Sequence, residues 1–363
     1  MIKVLVVDDS ALVRKLFGRV LESEFEVQFA RDGLEALAQL SAFRPNVITL
    51  DINMPQMDGL ECLDRIMVER PCPVVMVSSL SAEGADAVLE AMRLGAVDFV
   101  AKPGGAVSLK MDAFAPELIE KVRAAAGVKL KASARLRERI QRRIGGTMPP
   151  RRKPVADKEQ PRASGSGLVL VGTSTGGPPA LEALLTPLPA NFPWPILIAQ
   201  HMPASFTGPL ARRLDGICAI EVAEVVHPVK MMPGCAYIGH GDADLVVASR
   251  AAGPVVTSVA AQAGYPWHPS TDRLVRSAME QFAASQLIGV LMTGMGDDGA
   301  EAMARLHSQG GKTIAEAEET AVVWGMPGEL VKAGGADWIV PLPKIASRLQ
   351  QLVPGDAADP QTD

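Results

Sequence analysis

Ser174, His201 and the pair Asp297 and Asp298 are the side chains in this 363-residue sequence best suited to acyl chemistry, and each follows an apolar run. Ser174 sits in GTSTG, residues 172–176, which fits the G-x-S-x-G pattern: a strand, a sharp turn, then a helix, with the serine hydroxyl exposed at the strand end. The glycines allow close approach and unusual backbone angles, and Pro178 or Pro179 suits a first helical turn. Amides at that helix start could bind an oxyanion. The pattern alone is as compatible with a plain turn as with a nucleophile. A Walker loop needs Gly-Lys-Ser/Thr and a dinucleotide fingerprint needs G-x-G-x-x-G; Gly172, Gly176 and Gly177 supply neither.

A serine nucleophile needs a base, and the base an orienting acid. Of the five histidines, only His201 directly follows a strand-like run, WPILIAQ. His307 falls in a helical pattern, His227 and His240 in Pro/Gly-rich connections, and His268 in YPWHPSTD, where an aspartate is near; His268 is the alternative base. LIGVLMTGMG ends apolar, turns through glycines and delivers Asp297 and Asp298 ahead of a helix. Either could hold the imidazole tautomer, and either could instead cap that helix.

A second constellation occupies the N-terminal third. Asp8 and Asp9 end the first apolar run, Asp51 the third, Ser78 the fourth, and Lys102 the fifth. In an open α/β sheet these strand ends meet at one edge. Three carboxylates there need a compensating cation, and an oxygen-rich site with water access suits Mg²⁺. A metal, a carboxylate nucleophile, a lysine and a hydroxyl suit phosphoryl transfer onto Asp51. Helix capping is the bland reading for one aspartate and a poor one for the whole set.

The elements that must carry these groups follow from periodicity. Residues 1–126 alternate five β-rich runs (IKVLVV, FEVQFA, NVITL, PVVMVS, VDFVAK) with helical patterns, predicting a five-stranded, doubly wound parallel sheet of flavodoxin type. Residues 127–165 read as a basic linker: between 129 and 162 stand twelve Lys/Arg against three Asp/Glu, and GGTMPPRRKP cannot continue a helix. No aromatic residue interleaves those charges, so a solvated tether is favoured over a nucleic-acid arm. From 166 to 353 the β/α alternation returns (LVLVG, PILIAQ, LIGVLMTG, KTIAE, ADWIVPL), predicting a second doubly wound α/β domain. The polar tail 354–363 is expected to be disordered. Net charge is −5, which argues against nucleic acid as the main partner. Cys62, Cys72, Cys218 and Cys235 show neither CxxC spacing nor a secreted framework, and no apolar stretch approaches the ~20 residues of a membrane span. A soluble, cytoplasmic protein with reduced thiols, acting as a monomer, is expected.

Over its full length the first domain resembles the receiver domain of bacterial response regulators. That resemblance implies Asp51 as phosphoryl acceptor, Asp8 and Asp9 with Asp51 and the Asn53 carbonyl as the Mg²⁺ site, and Ser78 and Lys102 as sensing residues, with Phe99 at the place of a switching aromatic. The second domain, through GTSTGGP, AQHMP, PSTD, TGMGDDG and GMPGE, is similar to the catalytic domain of the chemotaxis protein-glutamate methylesterase family. The chain order Ser174, His201, Asp298 sets it apart from α/β-hydrolases, which run Ser, Asp, His. The resemblance implies Ser174, His201 and Asp298 as the triad, with the Met295 amide near the oxyanion. It also implies hydrolysis of glutamate γ-methyl esters on methyl-accepting chemoreceptors, deamidation of some receptor glutamines, a histidine kinase as phosphodonor, and no cofactor for the ester step. Asp297 stands where the family often has a small residue. A receiver-controlled hydrolase of a small-molecule ester remains the alternative; a DNA-binding regulator would need a basic helix-turn-helix output in place of this one.

Overall fold

The computed structural model describes residues 1–102, 107–128, 130, 167–251 and 253–353. Nearly all of the expected linker and the whole expected tail lie outside these residues. The chain divides into two compact units, Met1–Pro150 and Arg151–Asp363.

In the first unit β1 (Lys3–Val7), β2 (Glu26–Ala30), β3 (Val47–Asp51), β4 (Val74–Ser78) and β5 (Asp98–Ala101) form one sheet in the order β2-β1-β3-β4-β5. Every pairing is parallel. Val4, Leu5, Ile48, Val74, Val75 and Met76 are fully buried, as expected for strands covered on both faces. Helices α1 (Ala11–Leu21), α2 (Gly33–Ala42), α3 (Gly59–Glu69), α4 (Ala82–Leu94) and α5 (Val107–Ala126) alternate with the strands. The first four are capped by Ser10, Asp32, Asp58 and Ser81, each accepting an amide of the first turn. Asp8, Asp9 and Asp51 cap none of them, so the capping reading of these carboxylates is set aside. Chain order reverses at β1, which lies between β2 and β3; that is where an open α/β sheet leaves a crevice at its carboxyl edge.

The second unit is built on a seven-stranded parallel sheet, in the order β15-β14-β13-β6-β7-β10-β8. Its members are β6 (Leu168–Thr173), β7 (Ile196–Gln200), β8 (Glu221–Val225), β10 (Cys235–Gly239), β13 (Leu287–Leu291), β14 (Lys312–Glu316) and β15 (Trp338–Val340). A smaller antiparallel sheet joins β9 (Val229–Lys230), β11 (Ala243–Arg250) and β12 (Gly253–Ala260). The helices are α6 (Gly177–Leu185), α7 (Ala204–Ile217), α8 (Thr271–Gln281), α9 (Ala300–Ser308), α10 (Met326–Lys332) and α11 (Leu342–Leu352). Leu170, Leu197, Leu274, Leu291, Met303 and Leu306 belong to its buried core. The five strands anticipated here are all present; β8 to β12, between residues 221 and 260, were not anticipated. β8 and β9 carry charged side chains, and β11 and β12 belong to the separate antiparallel sheet with β9; β10, CAYIG, is a short, fully buried run without charge. Chain order reverses around β6: β7 lies on one side and β13 on the other. Ser174 is the residue that leaves β6 at this point.

Among the described residues no helix is long and apolar enough to cross a membrane, and none of the four cysteines is in a disulfide.

Candidate active site and the acidic edge of the first unit

Register delivers Ser174 and His201 side by side. β6 and β7 pair Thr173 with Gln200, so the next residues emerge together, and the His201 amide donates to the Thr173 carbonyl at 3.1 Å. On the other flank the Ser174 amide donates to the Thr293 carbonyl at 2.9 Å, just beyond β13. The turn is closed by Gly176 in the left-handed region, φ 76°, where a Cβ would lie 2.7 Å from the Val322 side chain. Pro178 then falls in the first turn of α6, as its missing N–H allows. Gly294 lies against the serine: a Cβ there would be 2.8 Å from Ser174 Cβ and 2.3 Å from Met326 Sδ.

His201 Nε2 meets Asp298 Oδ2 at 2.8 Å, with both side chains buried. A carboxylate accepts only, so Nε2 carries the hydrogen and Nδ1 is the basic nitrogen of the neutral ring. Nδ1 is buried and has no hydrogen-bond partner. Ser174 is half-buried, and among the described residues its hydroxyl makes no hydrogen bond. Asp298 is held further by Ser270 Oγ at 2.9 Å and by the amides of Thr271 at 2.6 Å and Asp272 at 3.1 Å. Burial pushes the Asp298 carboxyl up, but His201 and these amides outweigh it and hold it below the usual carboxylate range. Asp298 therefore sits at the N-terminus of α8, not of α9, which starts from left-handed Gly299 without a side-chain cap. Asp297 is exposed. Met295 follows Gly294, is buried, and among the described residues its amide is uncommitted.

Three of the other four histidines pair with other carboxylates. His268 Nδ1 lies 2.9 Å from Asp244 Oδ1, a different and fully buried carboxylate. His240 pairs with Glu224 at 2.8 Å, and His307 with Asp337 at 3.2 Å.

In the first unit, ligand oxygens of Asp8, Asp9 and Asp51 lie within 4.8 Å of one another. Lys102 Nζ is 2.9 Å from both Asp8 Oδ2 and Asp51 Oδ2. Burial raises the Asp51 carboxyl, aided by Asp8 and opposed by Lys102 and the Asn53 amide; the balance lies above the ordinary value. Asn53 is exposed at the same strand end. Ser78 is buried at the end of β4, and its carbonyl accepts the Lys102 amide at 2.7 Å. Phe99 is buried, with Lys121 Nζ 5.0 Å from its ring centroid.

Comparison with known proteins gives this geometry its relatives. The CheB methylesterase family model matches residues 169–349, and the response regulator receiver domain model matches residues 4–112. A protein-glutamate methylesterase/protein-glutamine glutaminase of Rhodopseudomonas palustris is 55% identical, over 99% of this chain and 100% of its own length. One from Rhodospirillum rubrum is 50% identical, over 96% of this chain and 95% of its own. The chain belongs to the CheB methylesterase family. The crystal structure of the Thermotoga maritima CheB methylesterase catalytic domain matches with a TM-score of 0.50 at 37% identity, covering 52% of this chain and 99% of that one.

Two supports of the methylesterase unit were not legible in the motifs. Asp244 gathers His268, the Ser270 amide at 2.8 Å and Arg273 Nη1 at 2.5 Å, pinning the segment that grips Asp298. Glu316, at the end of β14, is fully buried and accepts the Thr293 amide at 2.9 Å behind the Ser174 turn. Burial pushes its carboxyl up to about 6 against the bonds from Thr293 and Thr320. Both were hidden because each carboxylate acts on partners more than twenty residues away in sequence.

Proposed function

We propose that this chain hydrolyses glutamate γ-methyl esters on methyl-accepting chemoreceptors, and deamidates particular receptor glutamines, under control of phosphorylation at Asp51. The observation that carries the reading is His201, tied to Asp298 through Nε2 while its buried Nδ1 has no partner beside the Ser174 turn. The named activities of relatives 55% and 50% identical over nearly the whole chain support it.

Ser174 Oγ attacks the ester carbonyl as His201 Nδ1 takes its proton, and Asp298 stabilises the resulting imidazolium. The Met295 amide and the start of α6 face the oxygen on which charge develops. The proton then passes from Nδ1 to the methoxy oxygen, methanol leaves, and a water deprotonated by the same nitrogen hydrolyses the acyl-serine. With glutamine the leaving group is ammonia.

In the receiver, three clustered carboxylates form an all-oxygen donor set that fits Mg²⁺. Asp8, Asp9 and Asp51 would hold it together with the Asn53 carbonyl, and when bound it neutralises charge during phosphoryl transfer. Lys102 and Ser78 bond the phosphoryl oxygens, and a histidine kinase of the chemotaxis system supplies the group. Phe99 responds as the switching aromatic. The working boundaries are a receiver at 1–126, a linker at 127–165 and a catalytic domain at 166–353, acting as a monomer in the cytoplasm.

Methanol release from methylated receptor membranes tests the reading. Phosphodonor with Mg²⁺ should increase it, and Ser174→Ala should abolish it. Hydrolysis of small esters with no methanol from receptors would favour the alternative of a small-molecule esterase.

A further inference from the structure

The Trp267 indole lies parallel to the His201 imidazole, with ring centroids 5.6 Å apart and planes 8° from parallel. Its surroundings make the contact deliberate. Residues 261–264 and Pro266 are exposed, yet Trp267 is half-buried, and its cover includes His201. The chain just after it is fastened: His268 to Asp244 at 2.9 Å, and Ser270 to both Asp244 and Asp298 at 2.8 and 2.9 Å. Gly296 passes close to the indole: a Cβ there would make ordinary contact with Nε1 at 3.4 Å. The same short segment thus holds the acid of the triad and lays an aromatic face on the base.

We infer that Trp267 is a positioning residue for the ester hydrolysis: its face fixes the plane of the His201 ring and shields it from water. The inference rests on His201 being the base. One hydrogen bond, from Nε2 to Asp298, leaves the imidazole free to tilt about that bond; a parallel aromatic face removes the tilt. Tilting would carry Nδ1 off the line to Ser174 and admit water to a nitrogen that is now buried without a partner. When Nδ1 takes the serine proton the ring becomes a cation against a π face. Trp267 touches neither the ester nor the serine in this role, so its loss acts on turnover rather than on substrate binding.

The test uses the full-length chain with phosphodonor, Mg²⁺ and methylated receptor membranes at varied concentration. Trp267→Leu should lower kcat by about 10- to 100-fold with KM within about twofold, the scale of a small misplacement of a catalytic group. Trp267→Phe, which keeps a face, should retain kcat within about threefold of the parent by the same reasoning. Indole emission gives a second readout independent of the Leu variant's folding. An imidazolium in contact quenches an indole, so the emission lost in Trp267→Phe should titrate with pH in the parent and stay flat in His201→Gln. Wild-type kcat in Trp267→Leu, a loss confined to KM, or the same emission titration in His201→Gln would each overturn the inference. Failure of the underlying reading looks different: His201→Gln would itself keep turning over.

Discussion

At the scale of single residues, the site separates two histidines that the sequence left in competition. His201 is joined to Asp298, whereas His268 is joined to Asp244, so the two imidazoles answer to different carboxylates. Ser174→Ala and His201→Ala should each lower turnover by about 10³- to 10⁶-fold, and the double variant should be little worse, because the groups act as a unit. His268→Ala should keep kcat within about tenfold, a positioning-scale effect, and instead lower the thermal midpoint. Methanol-release kinetics on the four variants decide this, and abolished turnover in His268→Ala with normal turnover in His201→Ala would reverse the assignment. Glu316 gives a prediction about pH. Its folded pKa of about 6 lies above the ordinary 4.5, so the native state binds the extra proton and stability falls as pH rises between those values. Above pH 7 the deficit is about 2 kcal/mol. Glu316→Gln should therefore flatten the stability profile from pH 4.5 to 7 and leave the protein more stable than the parent at pH 8. Denaturant melts at the two ends of that range measure it.

At the scale of elements, the turn after β6 and the turn after β13 press on each other through Gly294, Ser174 and Met326. Gly294→Ala puts a methyl 2.8 Å from Ser174 Cβ, inside contact distance, and the serine cannot retreat while its amide is bound to the Thr293 carbonyl. Turnover should fall by about 100-fold or more, since a shift of about 1 Å in a reacting group costs that much. The fold should survive, because the Met326 side chain is flexible enough to yield. Circular dichroism with kcat on one preparation separates the outcomes; unchanged turnover would mean that the two turns move apart freely. These elements also show why the sequence left open whether Asp297 or Asp298 caps a helix. Asp298 does sit at a helix N-terminus, but at that of α8, brought beside it from 27 residues earlier in the chain.

At the scale of the whole molecule, each unit has its own sheet and buried core, so residues from about 166 onward are expected to fold alone. Under the proposed control by phosphorylation at Asp51, the unphosphorylated receiver restrains the esterase. The fragment should then release methanol faster than an equal amount of the unphosphorylated full chain, and should ignore phosphodonor. A folded fragment slower than the intact chain would point to a receiver that activates. In the full chain a small phosphodonor with Mg²⁺ should label once, base-labile and acid-stable, and Asp51→Ala should remove the label. Much of this was legible in the sequence alone. Apolar runs in each half show where strands stop, several of them at Asp, Ser, Lys or His, and parallel strands bring their ends to one edge; so Asp8, Asp51 and Lys102 could be grouped in the first unit, and Ser174 and His201 in the second, from the sequence alone. Local periodicity does not encode which strands are neighbours, nor which turn of an imidazole meets which carboxylate. The tertiary structure alone decided that β6 lies between β7 and β13, that Nε2 of His201 takes Asp298 while Nδ1 is left without a partner, and that Trp267 and Asp244 stand beside them. Those choices depend on contacts between residues tens of positions apart, where packing and hydrogen-bond geometry, rather than residue type and spacing, select the partner.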